Sequence, residues 1–284
     1  MTNALLVGTV VSALAGLVGV FVVMRGQAFA GHILTDVGAA GASGSLLAGV
    51  NAWYGFVSFG LLAGTGVEVF GNRARSRDAG TGIVLSFAMG LEALFLFLVT
   101  RYTNNAGATM LILFGSLFTA DPSLTPVVVG VALFMVALLL FIYRPLLLCT
   151  VNPEIAQARG VRVRLIGVLF MLLMVLAVEN ASIVAGALLA TALLIGPAAA
   201  AMRLTTRTSL ALLLAAGIGV TVTGLGILLA YESYYWPPTG RGWPVGFFIS
   251  ALIFLIYLAV GFGRSSAGAG RSSAGAGHRP QKGA

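Results

Sequence analysis

The chain consists largely of apolar runs separated by short polar segments. Each run is about 20 residues long, the length that an α-helix needs to cross the hydrocarbon core of a bilayer. The runs lie at 4–24, 33–50, 53–71, 80–100, 123–143, 165–180, 182–202, 209–231 and 244–262. They lack the two-residue alternation of a membrane β-barrel, which leaves helices as the spanning structure. We therefore predict an all-α fold, a polytopic transmembrane helical bundle.

One apolar segment does not fit this series of crossings. Residues 106–120 read AGATMLILFGSLFTA. If this segment crossed the membrane completely, Arg144 and the basic loop after it would face outward, against the usual cytoplasmic enrichment of arginine. We expect a short interfacial or re-entrant piece instead, and eight or nine crossings in total.

Composition supports a membrane protein. Hydrophobic residues make up 59% of the chain and charged residues only 8%, with a mean hydropathy of +1.02. A soluble domain has about 25% charged residues, so this chain has too little polarity to cover a surface in water. The net charge of +8 comes from basic residues that lie between the apolar runs. Such residues are typical of loop anchors at a membrane and not of a nucleic-acid-binding surface.

The basic residues also orient the bundle. They lie at Arg25, at 73–77, at 144–164, at Arg203 and Arg207, and from Arg264 onward. If all of these face the cytoplasm, the N-terminus is outside, the C-terminus is cytoplasmic, and only Arg101 and Arg241 lie outside. Residues 1–263 then form one transmembrane domain. Residues 264–284 contain two copies of RSSAGAG, and we expect a disordered, low-complexity cytoplasmic tail.

The sequence lacks the residues of several enzyme classes. Its single lysine, Lys282, lies in the tail and is followed by glycine, so a GxxxxGK[ST] phosphate loop is absent. The patterns CxxC and HExxH are also absent. We therefore expect neither ATP hydrolysis by this chain nor any other catalysis, and no permanently bound cofactor.

The second apolar run carries a histidine and a carboxylate one helical turn apart. His32 and Asp36 are four residues apart, so in a helix both side chains lie on one face. An imidazole nitrogen and a carboxylate oxygen are suitable ligands for Zn²⁺ or Mn²⁺. Two simpler interpretations remain: a self-satisfying hydrogen-bonded pair, or a histidine solvated at the cytoplasmic interface.

Two further acidic residues lie within or at the ends of apolar runs. Glu92 lies deep in the fourth run, where an ionisable group is costly and is commonly retained for function. Glu179 ends the sixth run and is followed by Asn180. Either glutamate could line a polar pathway for a metal. For Glu179 we favour the simpler interpretation, a solvated carboxylate near the outer face.

A capped helix is predicted in the basic segment between the fifth and sixth runs. Asn152 can cap a helix that has Pro153 at its first position and Glu154 in its first turn, and Gly160 can end it. A short helix with basic flanks on the cytoplasmic side is typical of a docking element for a soluble partner. An ordinary interfacial helix is the alternative.

Several segments together carry a resemblance to a known family. In chain order they are GVFVVMRGQAFAG, SRDAGTGIVLSFAMGL, LFGSLF, YRPLLL with NPEIAQARGVRVRL, GALLATALLIGPAAAA and SYYWPPTGRGWPV. From Leu5 to about Gly261 the chain resembles the ABC-3 family, the membrane-spanning permeases of bacterial ABC importers for zinc, manganese and iron. The resemblance implies the fold of a type II ABC importer permease in the bacterial inner membrane.

The resemblance also implies a mechanism and partners. The family's permeases form a homodimer, dock on a separate ATPase subunit and receive metal from an extracytoplasmic metal-binding lipoprotein. Zn²⁺ or Mn²⁺, with Fe²⁺ as a further candidate, would be the transported ion. The segment that matches the family's ATPase-coupling helix contains Asn152, Pro153, Glu154, Ala156, Arg159 and Gly160.

The second run departs from the family pattern in an informative way. The family has GDAxSHAxLPG, with Asp and His on the metal path, whereas this chain reads GHILTDVGAAG from Gly31 to Gly41. The two ligand types have thus exchanged places: His32 stands at the family's Asp and Asp36 at its His. The one-turn pair survives, and the family's proline is missing, which predicts a less kinked helix.

Two other functions stay open at this stage. One is an ABC permease for cobalamin or iron-siderophore complexes, which also docks through a cytoplasmic helix. The other is a proton-coupled carrier or an intramembrane enzyme that uses Glu92 and Glu179 as acid–base groups.

Overall fold

The computed structural model describes residues 2–70, 77–103, 106–115, 125–236 and 242–275, and these are almost entirely helical with no β-strand among them. The eleven helices of these residues are α1 (Thr2–Met24), α2 (Ala28–Leu47), α3 (Ala52–Phe70), α4 (Arg77–Thr103), α5 (Ala106–Phe114), α6 (Thr125–Val151), α7 (Pro153–Ala158), α8 (Val163–Ala185), α9 (Ala187–Leu204), α10 (Thr208–Glu232) and α11 (Val245–Gly275). The predicted all-α class is confirmed.

Every predicted apolar run coincides with a long helix. By length and composition, five stretches within the described residues could cross a membrane: in α1, α4, α6, α8 and α10. Shorter apolar stretches lie in α9 and α11. The number of crossings, eight or nine, stays a prediction. Helix α5 has nine residues, about 14 Å at 1.5 Å per residue, which is too short to span the hydrocarbon core.

Helix α1 forms the centre of the bundle and packs on α6, α8, α9 and α10. Glycines permit close approach along it, because a methyl group on Gly16 would overlap the carbonyl of Ala215 and one on Gly19 would overlap that of Leu194. Small residues at helix contacts are how membrane helices bring their backbones together. The pairing of Gly16 with Ala215, and of Ser12 with Gly219, makes α1 and α10 antiparallel.

Helices α2 and α3 form a tight antiparallel hairpin. Gly41 and Gly55 face each other so closely that a methyl group on either would overlap the carbonyl oxygen of the other. On α3, Gly60 and Gly64 then lie against α8, where Val175 fills the space that their side chains would need. The GxxxG pattern therefore packs α3 on α8.

The two ends of the bundle differ in charge. Within the described side chains, arginines gather at the end that carries the α1–α2 turn and α7: Arg25, Arg144, Arg159, Arg162, Arg164, Arg203 and Arg207. The other end, which carries the N-terminus of α1, has Arg101. We call these the arginine end and the N-terminal end. This polarity is the one that the positive-inside prediction requires.

The last helix extends further than predicted. Helix α11 continues to Gly275, so residues 264–275 are helical where the sequence favours disorder. Extending an existing helix avoids the unfavourable nucleation step, and this offsets the poor helix propensity of glycine and serine. The predicted disorder of residues 276–284 lies outside the described residues.

Candidate metal pathway and docking helix

His32 and Asp36 meet on one face of α2, as their spacing predicts. His32 Nε2 lies 3.7 Å from Asp36 Oδ2, which is an ion-pair distance and too long for a good hydrogen bond. His32 Nδ1 lies 3.4 Å from Thr191 Oγ1 on α9. The imidazole is 43% exposed and the carboxylate 8% exposed. The pair is therefore open on its histidine side and does not satisfy itself: Asp36 Oδ2 has no hydrogen-bond partner among the described residues.

Glu92 faces the same helix from α4. Its side chain is buried, and it lies within electrostatic range of Asp36. The buried positions Ala88, Glu92 and Leu96 recur every four residues, so one face of α4 packs on α2 and carries Glu92 with it. The structure thus brings Glu92 toward the carboxylate half of the pair.

Glu179 does not join that group. It is completely buried, and its carboxylate lies where side chains on Gly38 of α2 and Gly60 of α3 would be. A methyl group on Gly38 would lie 2.6 Å from Glu179 Oε2. Gly38 is two positions beyond Asp36, about 200° around the helix, so Glu179 contacts another face of α2.

The prediction of a solvated Glu179 near the outer face is therefore wrong. Glu179 lies level with the middle of α2 and of α3, between Gly38 and Gly60, and it has no exposed surface. Neither carboxylate oxygen has a hydrogen-bond partner in the described part of the chain. Two glycines from other helices create the space for it, and nothing near Glu179 in the sequence shows this.

The described residues of one copy of the chain do not build a complete metal site. Among the described residues, no three His, Cys, Asp or Glu side chains come close enough to hold a metal ion together. His32 and Asp36 supply one nitrogen and one carboxylate group, and the remaining positions of a four- to six-coordinate ion would be open. An incomplete ligand set suits passage of an ion better than permanent binding, because a transported ion has to leave again.

The capped helix lies where the sequence predicts it. Asn152 Oδ1 accepts a hydrogen bond of 3.0 Å from the backbone N–H of Ile155, and Pro153 takes the first helical position. Gly160 has φ +78°, and this left-handed conformation ends the helix because glycine adopts it without strain.

Helix α7 presents a protruding surface. Ala156 is fully buried and anchors the helix against its neighbours, whereas Pro153, Glu154 and Arg159 are exposed. Beside α7 lies a groove of about 590 Å³, and its lining residues are Arg144, Pro145, Leu147, Leu148, Val151, Arg159 and Val161. An anchored helix next to an open groove can dock a complementary protein surface.

Sequence reasoning missed Thr191 and named Asn180 without a role in a site. Thr191 is 159 positions from His32 and pairs with it only through the packing of α9 on α2. Asn180 is buried with an unpartnered Oδ1, although its Nδ2 donates to the Leu176 carbonyl. Only the polarity of Asn180 within an apolar run could have pointed to it.

The fold and the site together define a class: a polytopic helical membrane protein with few ionisable groups inside and a capped helix with exposed residues at its arginine end. The model of the ABC 3 transport family matches residues 1–261. The chain belongs to this family, whose members are permease subunits of transporters and not the ATPase. The predicted resemblance is confirmed.

Similar proteins cover most of the chain. The manganese transport system membrane protein MntC of Halalkalibacterium halodurans is 31% identical over 235 residues, 82% of this chain and 78% of that protein. The manganese import system permease protein ScaB of Streptococcus parasanguinis is 28% identical over 82% of each chain. The high-affinity zinc uptake system membrane protein ZnuB of Haemophilus influenzae is 31% identical, over 70% of this chain and 76% of that protein.

Solved structures share the fold. PsaBC from Streptococcus pneumoniae, in complex with Fab, aligns with a TM-score of 0.78 and 25% identity, over 91% of this chain and 90% of that one. An inward-facing conformation of a metal-chelate type ABC transporter aligns with a TM-score of 0.70 over 92% of this chain and 86% of that one. At 18% identity, the second likeness concerns the fold only. The predicted importer-permease architecture is confirmed.

Proposed function

We propose that this chain is the membrane permease subunit of an ATP-driven importer of divalent metal ions, with Zn²⁺ and Mn²⁺ as the first candidates and Fe²⁺ as a third. The observation that carries the proposal is the His32–Asp36 pair, open on one side, inside a chain of this family. Relatives named as manganese and zinc transport proteins support the same cargo.

In this proposal the ion passes His32 and Asp36, with Glu92 as an adjacent carboxylate. Among the described residues, the contacts of the His32 imidazole are long: 3.4 Å to Thr191 Oγ1 and 3.7 Å to Asp36 Oδ2, which leaves the ring accessible to an ion. Carboxylates near the path compensate the charge of the ion in a low-dielectric interior. Glu179, on another face of α2, has no direct part in this step.

The energy comes from a separate ATPase subunit that seats α7. Two copies of the permease form the transport unit, and the switch between outward- and inward-facing states follows nucleotide binding and hydrolysis in the ATPases. An extracytoplasmic metal-binding lipoprotein delivers the ion. The exposed residues Glu154, Ile155 and Arg159 around the buried Ala156 anchor support α7 as the contact.

The test is uptake of radioactive Zn²⁺ and Mn²⁺ by vesicles that contain the chain with its ATPase and binding protein. We expect His32→Ala and Asp36→Ala each to lose most uptake. Ser43→Ala is the matched control, because Ser43 lies on the same helix and, within the described part of the chain, its hydroxyl donates to the Ala39 carbonyl alone. The exchange His32→Asp with Asp36→His restores the family's order, and we expect it to retain uptake.

Two results would overturn the proposal. If both alanine variants, present in normal amounts, transported metal like the wild type, the pair would not be on the path. If uptake required a chelated metal and ignored simple salts, the cargo would be a metal complex. Co-purification adds an independent check, since a permease of this class retains an ATPase through α7 whereas a proton-coupled carrier needs none.

A further inference from the structure

The large amphipathic aromatic residues are concentrated near one end of the bundle. The chain has three tryptophans and seven tyrosines. All three tryptophans and five of the tyrosines lie at helix ends or turns, which we call the aromatic rim: Trp53, Tyr54, Tyr102, Tyr231, Tyr234, Tyr235, Trp236 and Trp243. The other two, Tyr143 and Tyr257, lie elsewhere on α6 and α11.

These residues share the N-terminal end because of how the helices pair. Helices α1 and α10 are antiparallel, so the C-terminus of α10 lies beside the N-terminus of α1. A three-residue turn joins α1 to α2, which brings the α2–α3 turn and Trp53 back to the same end. Helix α4 runs beside α2 with Phe95 against Gly44, which places Tyr102 there as well.

Most rings of the rim form three local groups of contacts, and most are exposed. Trp53 packs edge-on against Tyr54, and Tyr231, Tyr234 and Tyr235 form a second edge-on group. Trp236 and Trp243 contact each other and also Phe248. The exposed fractions of the tyrosines run from 43% for Tyr231 to 73% for Tyr102. Trp236 and Trp243 are exposed as well, whereas Trp53 is half-buried and its Nε1 is covered.

The surface next to the rim indicates which environment surrounds the aromatic rings. The exposed side chains that follow it along α3, α4, α10 and α11 are mostly apolar, among them Leu62, Phe97, Leu225, Leu228, Phe254 and Leu255. The exposed hydroxyls of Ser58, Thr65 and Thr221 bond to carbonyls of their own helices. A predominantly apolar surface of this kind faces hydrocarbon. The rings of the rim border this surface, and they combine apolar faces with O–H and N–H groups. Such side chains favour the interface between acyl chains and headgroups.

We propose that the aromatic rim binds lipid at the headgroup–glycerol level of the leaflet at the N-terminal end, and so fixes the depth of the chain in the membrane. The arginines at the opposite end complete the anchoring with the phosphates of the other leaflet. His32 lies 15 residues before Leu47, the last residue of α2, so at 1.5 Å per residue it lies about 22 Å deeper than that end, toward the arginine end.

The experiment is depth-dependent quenching of tryptophan fluorescence. The chain is placed in nanodiscs of phosphatidylcholine that carries a spin label either near the headgroup or near the end of the acyl chain. Because every tryptophan lies in the rim, the native signal already reports its depth. Two variants that retain one tryptophan, Trp53 or Trp236, with the others changed to phenylalanine, report the two sides of the rim. We expect the shallow label to quench each about twofold more strongly than the deep one.

A mid-span tryptophan is the matched control. In a chain with all three native tryptophans changed to phenylalanine, Phe134→Trp places an exposed ring within α6, far from both ends. The deep label should quench it more strongly. Equal or deeper quenching of Trp53 and Trp236 would overturn the proposal. So would quenching by aqueous acrylamide with no response to either lipid label, because the rim would then face water or a soluble protein.

Discussion

Glu179 is a carboxyl group held by three helices without a hydrogen-bonding partner among the described residues. Its oxygens lie against the α-carbons of Gly38 and Gly60, whose C–H groups are weak donors. An isolated charge in such a place is costly, and nothing charged lies opposite it in the part of the chain that the structure describes. The side chain therefore fills volume and has no visible electrostatic stabilisation there.

Changing Glu179 to glutamine should not destabilise the chain. Glutamine keeps the length and shape of the side chain and removes the charge, so the free energy of unfolding should stay within about 1 kcal/mol of wild type or rise. Thermal unfolding in detergent measures it. The exposed Glu154→Gln on α7 is the control for a glutamate on the surface. A clear loss of stability confined to Glu179→Gln would show that the carboxylate has a cationic partner.

Asn152 is the residue on which the local fold of α7 depends most directly. Asn152→Ala removes the acceptor of the Ile155 N–H and should weaken the helix by about 1 kcal/mol. Hydrogen exchange of the amides of α7 should then speed up about fivefold. Asn152→Asp keeps an acceptor oxygen and should exchange like the wild type. Equal exchange in all three proteins would mean that packing of Ala156, and not the cap, holds the helix.

Residues differ in how much of their role the sequence reveals. The His32–Asp36 pair and the cap at Asn152 depend on spacings of three or four residues, which local helical geometry converts directly into contacts. Glu179 depends on glycines that lie more than 100 positions away, so its burial could not be read from its neighbours. Thr191, the partner of His32, was missed for the same reason.

At the scale of elements, the α2–α3 hairpin depends on backbone contact. Gly55→Ala would push a methyl group into the Gly41 carbonyl, which cannot move aside as a flexible side chain could, so we expect a loss of about 1–3 kcal/mol. Gly130→Ala on α6 is the matched control, since nothing lies within 4 Å of a methyl group there. It should be neutral or stabilising by up to about 1 kcal/mol. Thermal unfolding of both variants compares them, and an equal effect would refute the contact.

Helices α9 and α11 are joined near the arginine end by Arg203 and Tyr257. The guanidinium carbon lies 3.8 Å from the centre of the tyrosine ring, and the guanidinium also donates to the hydroxyl. Arg203→Ala removes both interactions and should cost about 1–2 kcal/mol. Tyr257→Phe retains the ring and should cost less than half as much. Thermal unfolding of the two variants measures these losses. Equal losses of stability in Arg203→Ala and Tyr257→Phe would assign the stabilisation to the hydrogen bond.

Helix positions were largely predictable, because apolar runs of membrane length can satisfy their backbones only as helices. The ends of the helices were less predictable. Helix α11 passes its apolar run by a dozen residues, because the extension of a formed helix avoids the cost of nucleation. The segment at α5 was correctly expected to be short, because a crossing there would have reversed the charge pattern of the loops.

At the scale of the whole molecule, charge and aromatic residues divide the bundle into two unlike ends. The repeated tail begins beyond the apolar part of α11, and the family match stops at residue 261. Removal of residues 264–284 should therefore leave both membrane insertion and metal uptake unchanged. Immunoblots of membranes and the uptake assay measure the two quantities. Normal insertion with lost uptake would assign the tail a role in transport.

Helix α4 is the least covered of the five spanning candidates: 17% of its apolar stretch, Leu85–Tyr102, is buried, against 78% for that of α8. It packs on α2 and α5 and presents Ile83, Phe87 and Phe97 outward. Yet it is also the helix that carries Glu92 toward Asp36. On the proposed pathway, lateral pressure on α4 would therefore shift that carboxylate. Bilayer thickness and acyl-chain saturation become variables of ion passage, and the rate of transport should change with the lipid even when every residue of the pathway stays the same.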